Sequence, residues 1–190
     1  VRSKGSRLKP VQTENSFFAE KVTLRLEHLP KKDTLRILDC FSADGSLWKE
    51  IQKRTKQKLQ VLRIEKEPGK RGSYLPGDNC KYLASLDLQS FDVIDLDAFG
   101  VPYAQLRILF ERGYKGHVYV TFIQSMFGRL PPAMLEEIGF TAAMIEKAPS
   151  LFNRAGRVHF LAYLGRHGIK KTQIISIARK HYLHFQAPGR

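Results

Sequence analysis

The segment FDVIDLDAFGVP, residues 91–102, sets three carboxylates into an apolar run. Phe91, Val93, Ile94 and Leu96 read as a buried strand that Asp92, Asp95 and Asp97 interrupt. A carboxylate at the end of a core strand is costly to bury unless something binds it. Similar acids stand at the ends of other apolar runs. LDCFSADGSLW (38–48) gives Asp39, then a turn from Ser42 to Gly45, then a helix start. RIEKE (63–67) gives Glu65, and GDNCKYL (77–83) gives Asp78 and Asn79. Gly45 would let a ligand approach the backbone, beside free N–H groups at a helix N-terminus. Glu65 is suited to two ribose hydroxyls, and Asp78 with Asn79 to an adenine amino group. No GxGxxG cradle for a pyrophosphate is present. A ligand with ribose, adenine and a cationic part but no phosphate fits this set, and S-adenosylmethionine is such a molecule. Each acid also has a plain reading. Asp39 could cap the next helix, Glu65 and Glu67 could be solvated loop charges, and Asp78 could serve a turn.

The elements that must position these residues follow from periodicity. FFAEKVTLRLEHL (17–29) has helical spacing and a start at Asn15 or Ser16. Strands are predicted over 34–41, 59–65, 80–85, 91–97 and 117–124, and helices over 46–55, 103–113 and 131–139. Segments 142–148 and 157–165 read as two further strands without a helix between them, and 170–185 as a basic amphipathic helix. Alternating strands and helices imply an α/β fold. Its sheet would be Rossmann-like and mostly parallel, with an antiparallel edge and helices on both faces. In such sheets ligands bind beyond the carboxyl ends of the strands, where the acids stand. The expected organisation is a basic arm and helix over 1–33, a cofactor-binding domain over 34–167 and a basic C-terminal helix or tail over 168–190.

CFSADGSLW and FDVIDLDAFGVP resemble the corresponding segments of class I S-adenosylmethionine-dependent methyltransferases. Most of all they resemble the tRNA N2,N2-dimethylguanosine methyltransferases. Those enzymes show a Leu-Ser-Ala-Thr-Gly-Leu-Arg turn after the first strand and Asp-x-Asp-Pro-Phe-Gly-Ser-Pro after the fourth. The resemblance covers roughly residues 34–130. The chain departs from it at Asp44, Ser46, Ala98 and Val101, and it lacks room for that family's large C-terminal domain. The resemblance implies that Asp39 and the turn Ser42–Gly45 face the methionine end, Glu65 the ribose, and Asp78 with Asn79 the adenine. Asp97-Ala98-Phe99-Gly100 is also similar to the Asp/Asn-Pro-Pro-Tyr/Phe motif of amino-group methyltransferases. It implies that Asp97 accepts a base N–H, Phe99 stacks on the base, and Asp95 supports the site from beside it. Core packing is the alternative for Phe99. The segment ENSFFAEKV could close over the cofactor or make a simple hydrophobic contact.

Charge points to the same class of partner. The formal net charge is +14. Residues 35–150 carry sixteen Lys/Arg against fourteen acids, whereas residues 151–190 carry eight Lys/Arg and no acid. Basic flanks around a balanced middle suit a polyanion, most simply nucleic acid, with RNA favoured over DNA. Lys170, Lys171, Arg179 and Lys180 could contact an RNA backbone or form the outer face of a surface helix. No apolar run approaches the ~20 residues of a membrane span. Cys40 and Cys80 form no CxxC, so reduced thiols in a cytoplasmic protein are expected, without a metal. The expected activity is methylation of an exocyclic base amine in RNA, within tRNA processing. The rivals are a DNA amino-methyltransferase and a non-catalytic protein that keeps the fold.

Overall fold

Strands and helices alternate along the computed structural model, which describes residues 17–70, 72–123, 130–148, 152 and 154–189. In chain order they are α1 (Phe18–Glu27), β1 (Thr34–Asp39), α2 (Ser46–Arg54), β2 (Lys58–Glu65), β3 (Leu75–Pro76) and α3 (Asn79–Ser85). Then come a 3-10 turn (Leu88–Ser90), β4 (Val93–Leu96), α4 (Tyr103–Glu111), β5 (Lys115–Ile123), α5 (Pro132–Glu137) and α6 (Ala142–Lys147). The chain closes with α7 (Gly156–Arg166), β6 (Gln173–Ile177) and β7 (Lys180–Pro188). The proposed start of α1 at Asn15 or Ser16 lies outside the described residues, as does the arm before it.

The seven strands form one sheet in the order β3-β2-β1-β4-β5-β7-β6. Strands β1 to β5 pair in parallel, and β7 runs antiparallel between β5 and β6. The chain starts in the middle, steps outward to β3 and returns to β4. The strand order therefore reverses between β1 and β4, where such sheets open a crevice.

Side chains alternate between two buried faces, so central strands read as unbroken apolar runs. On one face Val22, Leu24, Trp48 and Ile51 of α1 and α2 pack on Ile37, Val93 and Tyr119. On the other, Leu83, Leu106, Leu109, Met134 and Phe160 of the remaining helices pack on Leu38, Ile94, Leu96 and Val118.

Four segments differ from the sequence expectation. Residues 80–85 are helical: the Asp78 side chain accepts from the Cys80 N–H and caps α3. The two-residue β3 takes the strand position beside β2 instead. Residues 142–148 are helical behind a Thr141 cap. Residues 157–165 lie in α7, whose buried residues Gly156, Phe160, Tyr163 and Leu164 recur at helical spacing. The basic C-terminal helix is instead the β6–β7 hairpin. Its two-residue turn, Ala178-Arg179, puts Ala178 at φ 52, a role usually given to glycine or asparagine. Without that turn signal, Ile174, Ile175 and Ile177 look helical, although β-branched residues fit a strand better.

Candidate functional site

A cavity of about 420 Å³ opens beyond the carboxyl ends of β1, β4 and β5. Asp39, Ser42, Asp97, Phe99 and Thr121 line it, joined by Lys21 from α1 and by Lys180 and Tyr182 from β7. The sequence motifs contain the first four; the other four come from elements far along the chain.

The two motif aspartates have different fates. The Asp95 carboxylate is 0% exposed, and Arg25 grips it with both prongs: Nε donates to Oδ2 at 2.8 Å and Nη2 to Oδ1 at 2.6 Å. The guanidinium lies against the rings of Tyr119 and Trp48, at 5.2 and 5.9 Å from their centroids. Burial holds the Asp95 carboxyl above its usual range, and the guanidinium offsets part of that rise; two accepted N–H bonds fit an ionised pair. Asp95 is expected from the sequence to support the site from beside Asp97; it stands behind the wall and touches Arg25 of α1, not the cavity. It is closed off from the cavity and anchors α1 to the sheet.

Asp97 faces the cavity. Lys21 Nζ donates to its Oδ2 at 2.8 Å, and the Thr121 hydroxyl donates to its Oδ1. Burial alone would raise its pKa, but Lys21, Arg25 and these bonds hold it below the usual carboxylate range. Asp97 is therefore a fixed anion. The geometry of the pairing is simple. Lys21 and Arg25 are four residues apart on a helix, about 6 Å along its axis. Asp97 and Asp95 are two residues apart, about 6.6 Å in extended chain. The two rises match, so one helix face docks on one strand edge with both charges paired.

Asp95 also belongs to a polar row that crosses the sheet. In register, Arg63 of β2 neighbours Asp39 of β1, then come Asp95, Tyr119, His184 and Gln173. Asp39 is buried. Burial first, then the like charges of Asp95 and Asp97, lift its carboxyl well above the usual range. A cation bound in the cavity would relieve that cost.

The turn after β1 is drawn tight by the Gly45 N–H, which donates to the Ser42 carbonyl at 2.7 Å. Gly45 adopts φ 74, and a Cβ there would sit 2.7 Å from the Arg63 guanidinium. The positive φ favours glycine here, and the Arg63 guanidinium fills the space a side chain would take. Ser42 is 6% exposed, and its buried hydroxyl has no hydrogen-bond partner among the described residues. A buried hydroxyl left unpaired beside a cavity favours a polar ligand there. Glu65 stands behind the turn: its oxygens accept the Ala43 N–H at 2.8 Å and the Glu67 N–H at 3.0 Å. A carboxylate offers about four acceptor sites, so it keeps capacity for hydroxyl donors.

Asp78 and Asn79 lie outside the cavity wall. Asn79 donates to the Cys40 carbonyl and accepts from Gln105, both at 2.8 Å. The amide ties the β1 turn to α4 and keeps one N–H and one lone pair. Phe99 is 83% exposed at the cavity rim, which removes the core-packing alternative. Among the described residues no group of three His, Cys, Asp or Glu is placed to hold a metal ion. Nor is any helix among them long and apolar enough to cross a membrane.

No protein-family model matches the chain, and no curated protein matches it in sequence. Solved structures do match it. A candidate methyltransferase from Escherichia coli superposes with a TM-score of 0.53 at 13% identity, over 100% of this chain and 90% of that one. A candidate class I S-adenosylmethionine-dependent methyltransferase from Listeria monocytogenes gives 0.53 at 14% identity, over 97% of this chain and 63% of that one. A candidate hemolysin from Streptococcus thermophilus gives 0.56 at 16% identity, over 97% and 70%. The chain has the fold of class I methyltransferases, as the sequence motifs imply. At these identities the likeness fixes the fold alone.

Proposed function

We propose that this protein is an S-adenosylmethionine-dependent methyltransferase that modifies an exocyclic amine of a base in RNA, with a tRNA-like substrate. The tRNA N2,N2-dimethylguanosine methyltransferases are the model for this reading. One observation carries it: Asp97 is an anion fixed on the cavity wall by Lys21 and Thr121, with the exposed ring of Phe99 two residues on.

The residues fit the cofactor. Asp39 and Ser42 would hold its amino-acid end, where a cation offsets a buried carboxyl and a donor or acceptor satisfies the orphaned hydroxyl. Glu65 would take the ribose hydroxyls, and Asp78 would serve the adenine end. S-adenosylmethionine, when bound, supplies a methyl group on a positively charged sulfur. The chain's own residues supply position. A base amine is a weak nucleophile because its lone pair is delocalised into the ring. An N–H bond to Asp97 would orient that lone pair toward the cavity, and stacking on Phe99 would hold the base plane. Each Asp97 oxygen already accepts one bond and can accept another. Asp97 is a poor base at this depressed pKa, so its work is orientation and stabilisation of the positive charge that develops on nitrogen.

The departures from the family motif have local explanations. Ala98 stands where proline is usual, and its N–H donates to the Leu96 carbonyl at 2.8 Å, closing a tight turn below Phe99. The Asp44 carboxylate accepts from the Ser46 N–H at 3.0 Å at the start of α2. Both residues are part of the cavity wall.

The test is transfer of labelled methyl from S-adenosylmethionine to pooled tRNA, ribosomal RNA and duplex DNA. Label in tRNA that is lost in Asp97→Ala and reduced in Phe99→Ala is expected. Label in duplex DNA alone would replace the substrate class. Absence of label together with no cofactor-induced rise in melting temperature would refute the enzyme.

A further inference from the structure

A second concavity lies at the opposite end of the sheet. It is a groove of about 1140 Å³, and Lys31, Lys32, Lys115, Lys170 and Lys171 line it. These lysines come from three separate places: the α1–β1 loop, the start of β5 and the α7–β6 connection. Asp92 is the sole acid on the wall among the described residues, and Lys32 pairs with it. Lys31, Lys115, Lys170 and Lys171 make no ion pair among the described residues and are exposed. Four unpaired ammonium groups held toward one groove repel each other unless an anion joins them.

Stacked rings and hydrogen bonds tie the floor of the groove together. His28, His184 and His117 stack with ring centroids 4.9 and 5.1 Å apart. A hydrogen-bond chain fixes two of these rings. Gln173 Oε1 accepts from His184 Nδ1 at 2.9 Å, and His184 Nε2 accepts from His117 Nδ1 at 2.9 Å. His117 Nε2 then accepts from Gln186 at 3.0 Å. Neutral rings satisfy this chain, and burial lowers the pKa of both imidazoles, so the charge of the groove is carried by lysine.

We infer that this groove is a second nucleic-acid site, which binds the phosphate backbone of the same RNA at a distance from the methylated base. This deepens the reading above and rests on its nucleic-acid part. β7 joins the two sites: Lys180 and Tyr182 line the first cavity and Gln186 the groove. Six strand steps separate Lys180 from Gln186, about 20 Å. At ~3.4 Å per nucleotide of a duplex strand, that is roughly six nucleotides. The groove therefore selects for a folded or extended nucleic acid over a free nucleotide or a very short oligomer. A membrane is a poorer fit. The surface is concave, and the exposed large apolar residues, Phe99, Met144 and Val158, are not on it.

The experiment measures fluorescence anisotropy of the full chain with unfractionated tRNA and a five-nucleotide RNA across a salt series. Anionic phosphatidylserine vesicles form a third arm. A triple variant, Lys31→Gln with Lys170→Gln and Lys171→Gln, is compared with the wild type and with the same three positions changed to Arg. The expected result is at least about tenfold weaker tRNA binding by the Gln variant, with the slope of log K against log salt shallower by about 2 to 3. The Arg variant should bind as the wild type, and the five-nucleotide RNA should not distinguish the three. Equal thermal unfolding excludes misfolding as the cause. Unchanged tRNA affinity and slope, binding of vesicles in place of RNA, or no tRNA binding by the wild type each overturns the groove. The methyl-transfer assay separates the two claims. Transfer with an unaffected Gln variant removes the groove and leaves the enzyme; weakened binding without any transfer does the reverse.

Discussion

Replacing Arg25 with methionine tests the assignment of Asp95 to structure. The pair is as buried as an ion pair can be, with side-chain exposures of 1% and 0% and a shortest contact of 2.6 Å. Methionine fills similar length without charge, so Arg25→Met leaves the Asp95 carboxylate in the core without a counter-ion. Breaking a buried pair from one side costs about 3–5 kcal/mol. For a domain of this size that lowers the melting temperature by about 6–20 °C, at ~2–4 °C per kcal/mol. The double variant Arg25→Met with Asp95→Leu removes both charges and keeps an apolar fill. It should return to within about 1 kcal/mol of the wild type or exceed it, because desolvation of two ions is avoided. Urea unfolding followed by circular dichroism, extrapolated linearly, gives all four corners of the cycle. A loss below about 1 kcal/mol in the single variant would be that of an exposed pair and would refute the reasoning. So would a double variant as unstable as the sum of the two single changes.

Four further outcomes follow from the same interactions. Lys21→Met should raise the Asp97 pKa; a depressed carboxylate stabilises above its unfolded pKa and loses this as pH falls, so the variant should be less stable near neutral pH and lose less further stability on acidification than the wild type. Superimposable melting profiles between about pH 3 and 6 would contradict it. Asp39→Asn should be more stable than the wild type at about pH 7.5 and equal to it at about pH 4, because a raised carboxyl pKa costs stability as pH rises; isothermal titration should show weaker S-adenosylmethionine binding. Gly45→Ala should cost about 1–2 kcal/mol from the positive φ alone, with the Arg63 clash added; a loss under about 0.5 kcal/mol by urea unfolding would argue that the turn adjusts freely. Burial, with His117, His28 and Arg25 nearby, pushes His184 down to about 3. The fold should therefore weaken as pH drops below the unfolded imidazole value of about 6.5, and His184→Gln should flatten that slope in melting curves.

Much of the sheet was legible in the sequence. Strands β1, β2, β4 and β5 are apolar runs, and the acids at their carboxyl ends stand out against that pattern. The helices α3, α6 and α7 were not legible. Each is short or weakly amphipathic, so its apolar residues fit a strand as readily as a helix, and the deciding factor is the layer it covers. The β6–β7 hairpin was hidden because its turn uses Ala178 and Arg179, which carry no turn signature.

Local pattern was enough for the α/β class and for placing Asp97, Phe99 and Asp39 near the switch point of the sheet. Each of these depends on residue type and spacing within a short stretch of chain. Which aspartate is available depends instead on packing between distant segments. Lys21-x-x-x-Arg25 and Asp95-x-Asp97 are separated by seventy residues, and each is ordinary alone. They become one device only when the helix rise and the strand rise bring their charges into step. That registration gives Asp95 to the core and Asp97 to the cavity. Charge and spacing are written in the chain, but burial is a property of what folds over it.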